Sequence, residues 1–379
     1  MATKLQVPAS SSIVNVSIID STSRINNLPY YIAMTPLYPG YEHGFVPCYV
    51  FLIHHPLANT RLLYDLDLRK NNTHLNPHLV KKMVPLQLGF SIEKDTADIL
   101  HENQLGLRAI DTIILSHHHF DHAGDTTKFP PTTNLLVGPG TKAKYRPGYP
   151  ADPDNQGSTS DTAIRGFCDI CGFKVFDCFG DGSLYILHTP GHTANHLSAL
   201  ARTTPATAEE NSTFIFMAGD LVHSGMCFRP DSHIDVLITI PNRALNTPPP
   251  SLSIHHHHHH HHLLLLLLLL LSPPYSSETE PDDPRTQPFS LIARSVEEDS
   301  AVSQANATTL AARFDADSDV LAIYVRDDRL LDSGGVLEFF PKATPTNEWK
   351  GKGWKIRGHW RFRDKMVRAF EAAGGANDR

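Results

Sequence analysis

A chain of 379 residues with 41% hydrophobic content can bury a sizeable core as one large domain or two small ones. Its net charge of -7 leaves no basic footprint for nucleic acid. Five cysteines, few and odd in number, argue against a disulfide framework, and no apolar run reaches the roughly 18 residues of a membrane span.

The N-terminal stretch MATKLQVPASSSIVNV lacks the apolar centre of a signal peptide, so a cytoplasmic protein of a reducing compartment is expected. Residues 1 to about 10 read as a loose tail. Ile13 to Ile19 alternates as a strand does, and Tyr30 to Met34, Cys48 to His54 and Arg61 to Leu66 read as further strands. Thr35 to Pro47, rich in Pro, Gly and Tyr, reads as a loop. Helices are predicted over Asn76 to Lys82 and Ile92 to Leu105. The second has Ile92, Ala97, Ile99, Leu100 and Leu105 at helical spacing and stops at Gly106.

Ile110 to Leu115 is apolar and β-branched, which predicts a buried strand. It runs into Ser116 to Gly124, SHHHFDHAG, where His117, His119, Asp121 and His122 form H-x-H-x-D-H. Imidazole nitrogen and carboxylate oxygen are the ligands zinc prefers when thiolates are absent. In an extended loop His117 and His119 point the same way, while Asp121 and His122 can face a second point a few ångströms off.

Further strands are predicted over Asn134 to Val137, Leu184 to Leu187, Ala199 to Arg202 and Phe214 to Met217, with a loop from Tyr145 to Thr162. Cys168 and Cys171 form one C-x-x-C with Cys178 nearby; a fourth zinc ligand at clear spacing is missing, so these read as structural or plain thiols. His192 follows the strand at Leu184, and His196 reads as support or a solvent contact. Asp220 lies just past Met217, with His223 three residues on as a candidate ligand or an ordinary loop histidine.

Residues 246–288 depart from globular composition. They hold eight consecutive histidines, His255 to His262, then nine leucines, Leu263 to Leu271, and homopolymers of this kind specify no packed register. The segment reads as an insertion in a single domain made of 11–245 and 289–379, and stands outside the site. Leu291 to Arg313 reads as a helix and Asp319 to Val325 as a buried strand. The basic tail Lys350 to Arg368, with Trp349, Trp354 and Trp360, reads as a cover for the core.

The H-x-H-x-D-H run resembles the ligand loop of the metallo-β-lactamase superfamily of hydrolases. Thr189-Pro190-Gly191-His192-Thr193 is similar to that family's P-G-H-T loop, and Ala218-Gly219-Asp220 to its G-D loop. Phe339 to Lys342 with Trp349 to Trp354 resembles the tail of fungal lactonase-like members. The resemblance implies an α+β fold, the four-layer αββα sandwich. It also implies a first metal site on His117, His119 and His192, and a second on Asp121, His122 and Asp220, with Asp220 bridging.

One position departs from the pattern. Arg326 stands where the family has a histidine for the second metal, and a guanidinium offers no lone pair. The expectation is one zinc, or two with the second weakened or completed by His223, water or His359. The function implied is attack by a zinc-bound hydroxide on a small lactone or related ester, with Asp121 orienting the water and taking its proton. A thioesterase acting on an acyl carrier and a degenerate, non-catalytic metal-binding protein stand as alternatives. The partner is a small-molecule substrate; the sequence leaves oligomeric state open.

Overall fold

The computed structural model describes residues 4–38, 40–70, 76–145, 168–208, 210–229, 288, 290–331, 338–342, 346–359, 361–362, 364–365 and 368. The 246–287 part of the low-complexity segment, most of the predicted loop from Tyr145 to Thr162, and Trp360 lie outside the described residues.

Two six-stranded sheets form the frame. The first contains β1 (Asn15–Pro29), β3 (His43–His55), β4 (Thr60–Tyr64), β5 (Gly89–Ser91), β6 (Thr112–Ile114) and β7 (Asn134–Leu136), in the order β5-β1-β3-β4-β6-β7. The second contains β8 (Cys168–Ile170), β9 (Phe173–Asp177), β10 (Leu184–His188), β11 (Leu197–Thr204), β12 (Thr213–Met217) and β14 (Val320–Ile323), in the order β14-β12-β11-β10-β9-β8. Both are mixed: β4, β6 and β7 are parallel neighbours, as are β12 and β14, and the other pairs are antiparallel.

Side-chain alternation sorts each strand between two faces. Val16, Ile18, Phe51, Ile53, Leu62 and Tyr64 of the first sheet meet Leu184, Ile186, Ala199, Ile215 and Met217 of the second in a layer between them. The intervening residues face outward. Ile19, Val50, Leu52 and Leu63 pack with Ala97, Ile99 and Leu100, while Tyr185, Leu187, Leu200, Phe214 and Phe216 pack with Ala307, Leu310 and Phe314. Helix, sheet, sheet and helix therefore stack as an αββα sandwich.

Boundaries differ from the sequence reading where capping overrides apolar spacing. The helix predicted from Ile92 ends at Glu102 and begins only at Thr96, because Asp95 and Asp98 cap that start reciprocally through 3.0 and 3.3 Å bonds. The helix predicted from Leu291 starts at Ser300, behind Asp299, whose carboxylate accepts from Ala301 and Val302 N–H. Leu291–Ile292 is instead β13, paired with β2 (Met34–Thr35). Tyr30 to Met34 is not one strand: Tyr30–Ile32 closes a helical turn, Ala33 N–H donating to Tyr30 O, which turns β2 away toward β13. The predicted loop ending at Pro47 is shorter, since β3 already starts at His43.

Strand direction explains where the loops gather. β10 and β12 are both antiparallel to β11, so they point the same way, and β14 is parallel to β12. Their carboxyl ends release His192, Asp220 and Arg326 at one edge. β6 brings its own carboxyl end there, where Leu197 N–H donates to Ser116 O at 2.7 Å. No helix among the described residues is long and apolar enough to cross a membrane.

Candidate metal centre

The base of the centre is Asp65, a fully buried residue just past β4 that the sequence reading left inside a strand. Its backbone is left-handed, φ 64°, a conformation Asp tolerates better than most residues. Its carboxylate accepts from Ser116 N at 2.7 Å, Ser116 Oγ at 2.9 Å and His122 Nδ1 at 2.8 Å. A serine hydroxyl has one proton, and here Asp65 takes it. The Ser116 oxygen is then an acceptor for His117 Nδ1, 3.0 Å away. His117 thus carries its proton on Nδ1, and its buried Nε2, with no hydrogen-bond partner, keeps a lone pair.

His119 and His192 complete a group with it. The ligand atoms of His117, His119 and His192 all lie within 4.8 Å of one another, and His192 Nε2 stands 2.9 Å from His119 Nδ1. Burial pushes the pKa values of His117 and His119 well below the usual range, and neighbouring imidazoles push them further. Both are therefore neutral, the state a metal requires of an imidazole. Three imidazoles converging in a buried place fit a divalent cation. His118 does not join them; its ring stacks on Tyr145 with centroids 3.8 Å apart.

Asp220 is the second focus. Gly219 before it has φ +59°, and a Cβ there would meet His196 Nε2 at 2.8 Å and Tyr64 Oη at 2.9 Å. His196 has both ring nitrogens engaged: Nε2 accepts from Asp220 N at 3.1 Å and Nδ1 lies 2.8 Å from Thr189 Oγ1. It braces the Asp220 backbone. Around Asp220 Oδ2 stand His122 Nε2 and His223 Nε2, each at 3.3 Å, and His192 Nε2 at 3.6 Å. Burial alone would raise the Asp220 pKa, but Arg326, His122 and His223 hold it well below the usual carboxylate range. Burial likewise lowers that of His122, and Asp220, Asp65 and Asp121 outweigh it, lifting it to about 10.

Arg326 follows β14 and is buried against the same carboxylates. Its Nη2 lies 2.5 Å from Asp220 Oδ2 and 2.6 Å from Asp121 Oδ2, and its Nε lies 3.2 Å from both oxygens of Asp220. Asp121, His122, Asp220 and Arg326 thus gather two carboxylates, an imidazole and a guanidinium in one cluster. His359, expected as a substitute ligand, sits elsewhere: its Nδ1 is 3.7 Å from Asp315 Oδ2, and its carbonyl accepts from Arg229 Nη1 at 3.0 Å.

The sequence reading missed Glu297 altogether. Its side chain is buried beside His192 and His223, with Oε1 3.0 and 3.6 Å from their Nδ1 atoms. Neither Asp65 nor Glu297 sits in a spaced motif, so only the fold reveals them.

No family model matches the chain. It is 31% identical to the gamma-lactamase FDB1 of Fusarium pseudograminearum, over 94% of this chain and 83% of that protein. It is 34% identical to the metallo-hydrolase mfmC of Annulohypoxylon moriforme, over 61% of this chain and 62% of that one. A cytochrome P450 monooxygenase of Penicillium brevicompactum, mpaDE', is 37% identical over 61% of this chain, but the chain spans only 28% of that protein's length.

Proposed function

The chain belongs to the metallo-β-lactamase superfamily of metal-dependent hydrolases, in its fungal lactonase-like branch, and on that basis we propose that it opens a small cyclic carbonyl compound, a lactone or γ-lactam, at one zinc ion held by His117, His119 and His192. The cyclic amide enters because the relative matched over most of its length carries the name gamma-lactamase. The observation that carries the reading is His117, a buried neutral imidazole whose Nε2 has no hydrogen-bond partner, grouped with His119 and His192. When bound there, zinc supplies a water with its pKa lowered to about 7 and a Lewis acid for the carbonyl.

The chain's own residues set the rest. Asp121 accepts the proton of the attacking water. Arg326 fixes Asp121 and Asp220 in place. Its Nη2 stands 2.5 and 2.6 Å from one oxygen of each carboxylate, between the two groups that would hold a second ion. Guanidinium and ion cannot share that point, so a fixed single charge stands in for a second zinc. We read 11–245 and 289–379 as one domain around the 246–288 insertion; the parallel pairing of β14 with β12 supports this.

Elemental analysis of the chelated and reloaded protein tests the centre, with one zinc per chain expected. Turnover of a panel of lactones, γ-lactams and acyl thioesters tests the substrate class, with loss on chelation and return on reloading. Two zincs per chain would overturn the single-ion reading. Thioester turnover alone would replace the cyclic substrate.

A further inference from the structure

Glu297 reaches the centre from outside the sequence motifs. It lies between β13 and α5 (Ser300–Thr309; α1 to α4 are Pro77–Met83, Thr96–Glu102, Phe120–Ala123 and Thr141–Tyr145). Its side chain is 1% exposed. A carboxylate taken out of water is costly unless its oxygens find partners, so those partners show what it is for.

Oε2 accepts from Ser303 Oγ at 2.5 Å, which anchors the carboxylate to α5. Oε1 is left to face two imidazoles, His192 Nδ1 at 3.0 Å and His223 Nδ1 at 3.6 Å. The backbone on either side holds the same loop: Glu298 N–H donates to His192 O at 3.1 Å and Asp299 N–H to Gly191 O at 2.9 Å. The strand-to-helix connection is therefore fastened to the His192 loop at both backbone and side chain. An ionised carboxylate only accepts hydrogen bonds, so His192 must carry its proton on Nδ1. That leaves the lone pair on Nε2, the atom beside His119.

We propose that Glu297 is a positioning residue of the metal centre: it fixes the Nδ1–H tautomer and ring angle of His192, so that Nε2 joins the lone pairs of His117 and His119, and it steadies His223 against Asp220. Carboxylates behind ligating histidines act in this way on tautomer, orientation and basicity. The inference rests on the zinc reading above, and the test separates the two.

Zinc affinity is measured by competition with a chromophoric chelator for the wild-type chain and for Glu297→Gln, which keeps the shape and a partner for Ser303 but removes the charge. The expected result is roughly 10- to 100-fold weaker zinc binding in E297Q. The visible spectrum of its cobalt-loaded form should also change, while the metal-free proteins melt within a few degrees of each other. Equal affinity and an unchanged cobalt spectrum would overturn the inference with the zinc reading intact. A wild-type chain that binds no zinc would overturn both. Should E297Q not fold, nitrogen NMR of the histidines in the zinc-loaded wild-type chain decides: a proton on His192 Nδ1 supports the inference, and one on Nε2 overturns it.

Discussion

Arg326 holds Asp220 with two of its nitrogens, Nη2 at 2.5 Å from Oδ2 and Nε at 3.2 Å from both carboxylate oxygens. The same Nη2 reaches Asp121. Removing one partner of a buried ion pair costs about 3–5 kcal/mol, because a charge is left without compensation. Arg326→Met should therefore lower the melting temperature of the metal-free protein sharply. Excess zinc should restore much of the loss, since a second ion can then enter between the two carboxylates. Arg326→His should raise zinc content from one to two per chain. Calorimetry in chelator and in zinc, with elemental analysis, checks all three. An R326M chain that melts like wild type in chelator would remove the guanidinium from the account.

Two adjacent histidines should behave oppositely. His117 presents a buried, unpartnered Nε2, whereas His118 stacks on the Tyr145 ring and belongs to no ligand group among the described residues. His117→Ala should weaken zinc binding by more than the roughly 100-fold upper range seen for residues behind a ligand, and abolish turnover. His118→Ala should keep one zinc per chain. Chelator competition on the two variants distinguishes them, and a matched loss in both would show that the loop, not the individual ring, governs affinity.

What the sequence made legible here was local or ordered. His117 to His122 could be read because four potential ligands fall within six residues after an apolar strand. His192 and Asp220 could be read because each follows a strand in a loop that resembles a family loop, and Arg326 because it departs from the family pattern. Glu297 could not be, because an acidic pair before a helix is ordinary capping chemistry, and its partner lies 105 residues away. Asp65 looked like the end of a strand until its left-handed backbone turned the carboxylate toward Ser116. The edge strand β8 and its neighbour β9 escaped notice because Cys168–Ile170 and Phe173–Asp177 are short and interrupted by charged residues, Asp169, Lys174 and Asp177.

Gly191, beside His192, should tolerate no side chain. Its φ is +136°, and an added Cβ would lie 2.5 to 2.7 Å from Ser303 Oγ, N and Cα in the first turn of α5. Backbone atoms of a helix cannot swing aside as the tip of a long side chain can. Gly191→Ala combines backbone strain of about 1–3 kcal/mol with overpacking of similar size. It should lower stability by several degrees and also weaken zinc binding, because the displaced Ser303 is the anchor of Glu297. Gly106→Ala makes the control: φ there is -64° and nothing lies within 4 Å of the added carbon. That variant should melt as wild type or slightly higher. A G191A chain with normal zinc affinity would uncouple α5 from the centre.

A buried fork away from the centre sets the acid limit. Arg229 Nε donates to Asp315 Oδ2 at 2.7 Å and Nη2 to Oδ1 at 2.6 Å, with both side chains at most 3% exposed. Burial raises the Asp315 pKa, but Arg229 and then His359 hold it well below the usual carboxylate range. A depressed folded pKa means that the unfolded chain binds more protons than the folded one as acid is added, so stability rises with pH in that range. The contribution is fully present above the unfolded value of about 3.9 and is lost as pH falls below it. Asp315→Asn should cost about 3–5 kcal/mol at pH 7 by leaving Arg229 unpaired. The stability gap between wild type and D315N should then narrow as pH falls from 5 toward 2, which denaturant titrations at several pH values will read directly. A gap that stays constant over that range would mean that the carboxylate is not the group whose protonation weakens the fold.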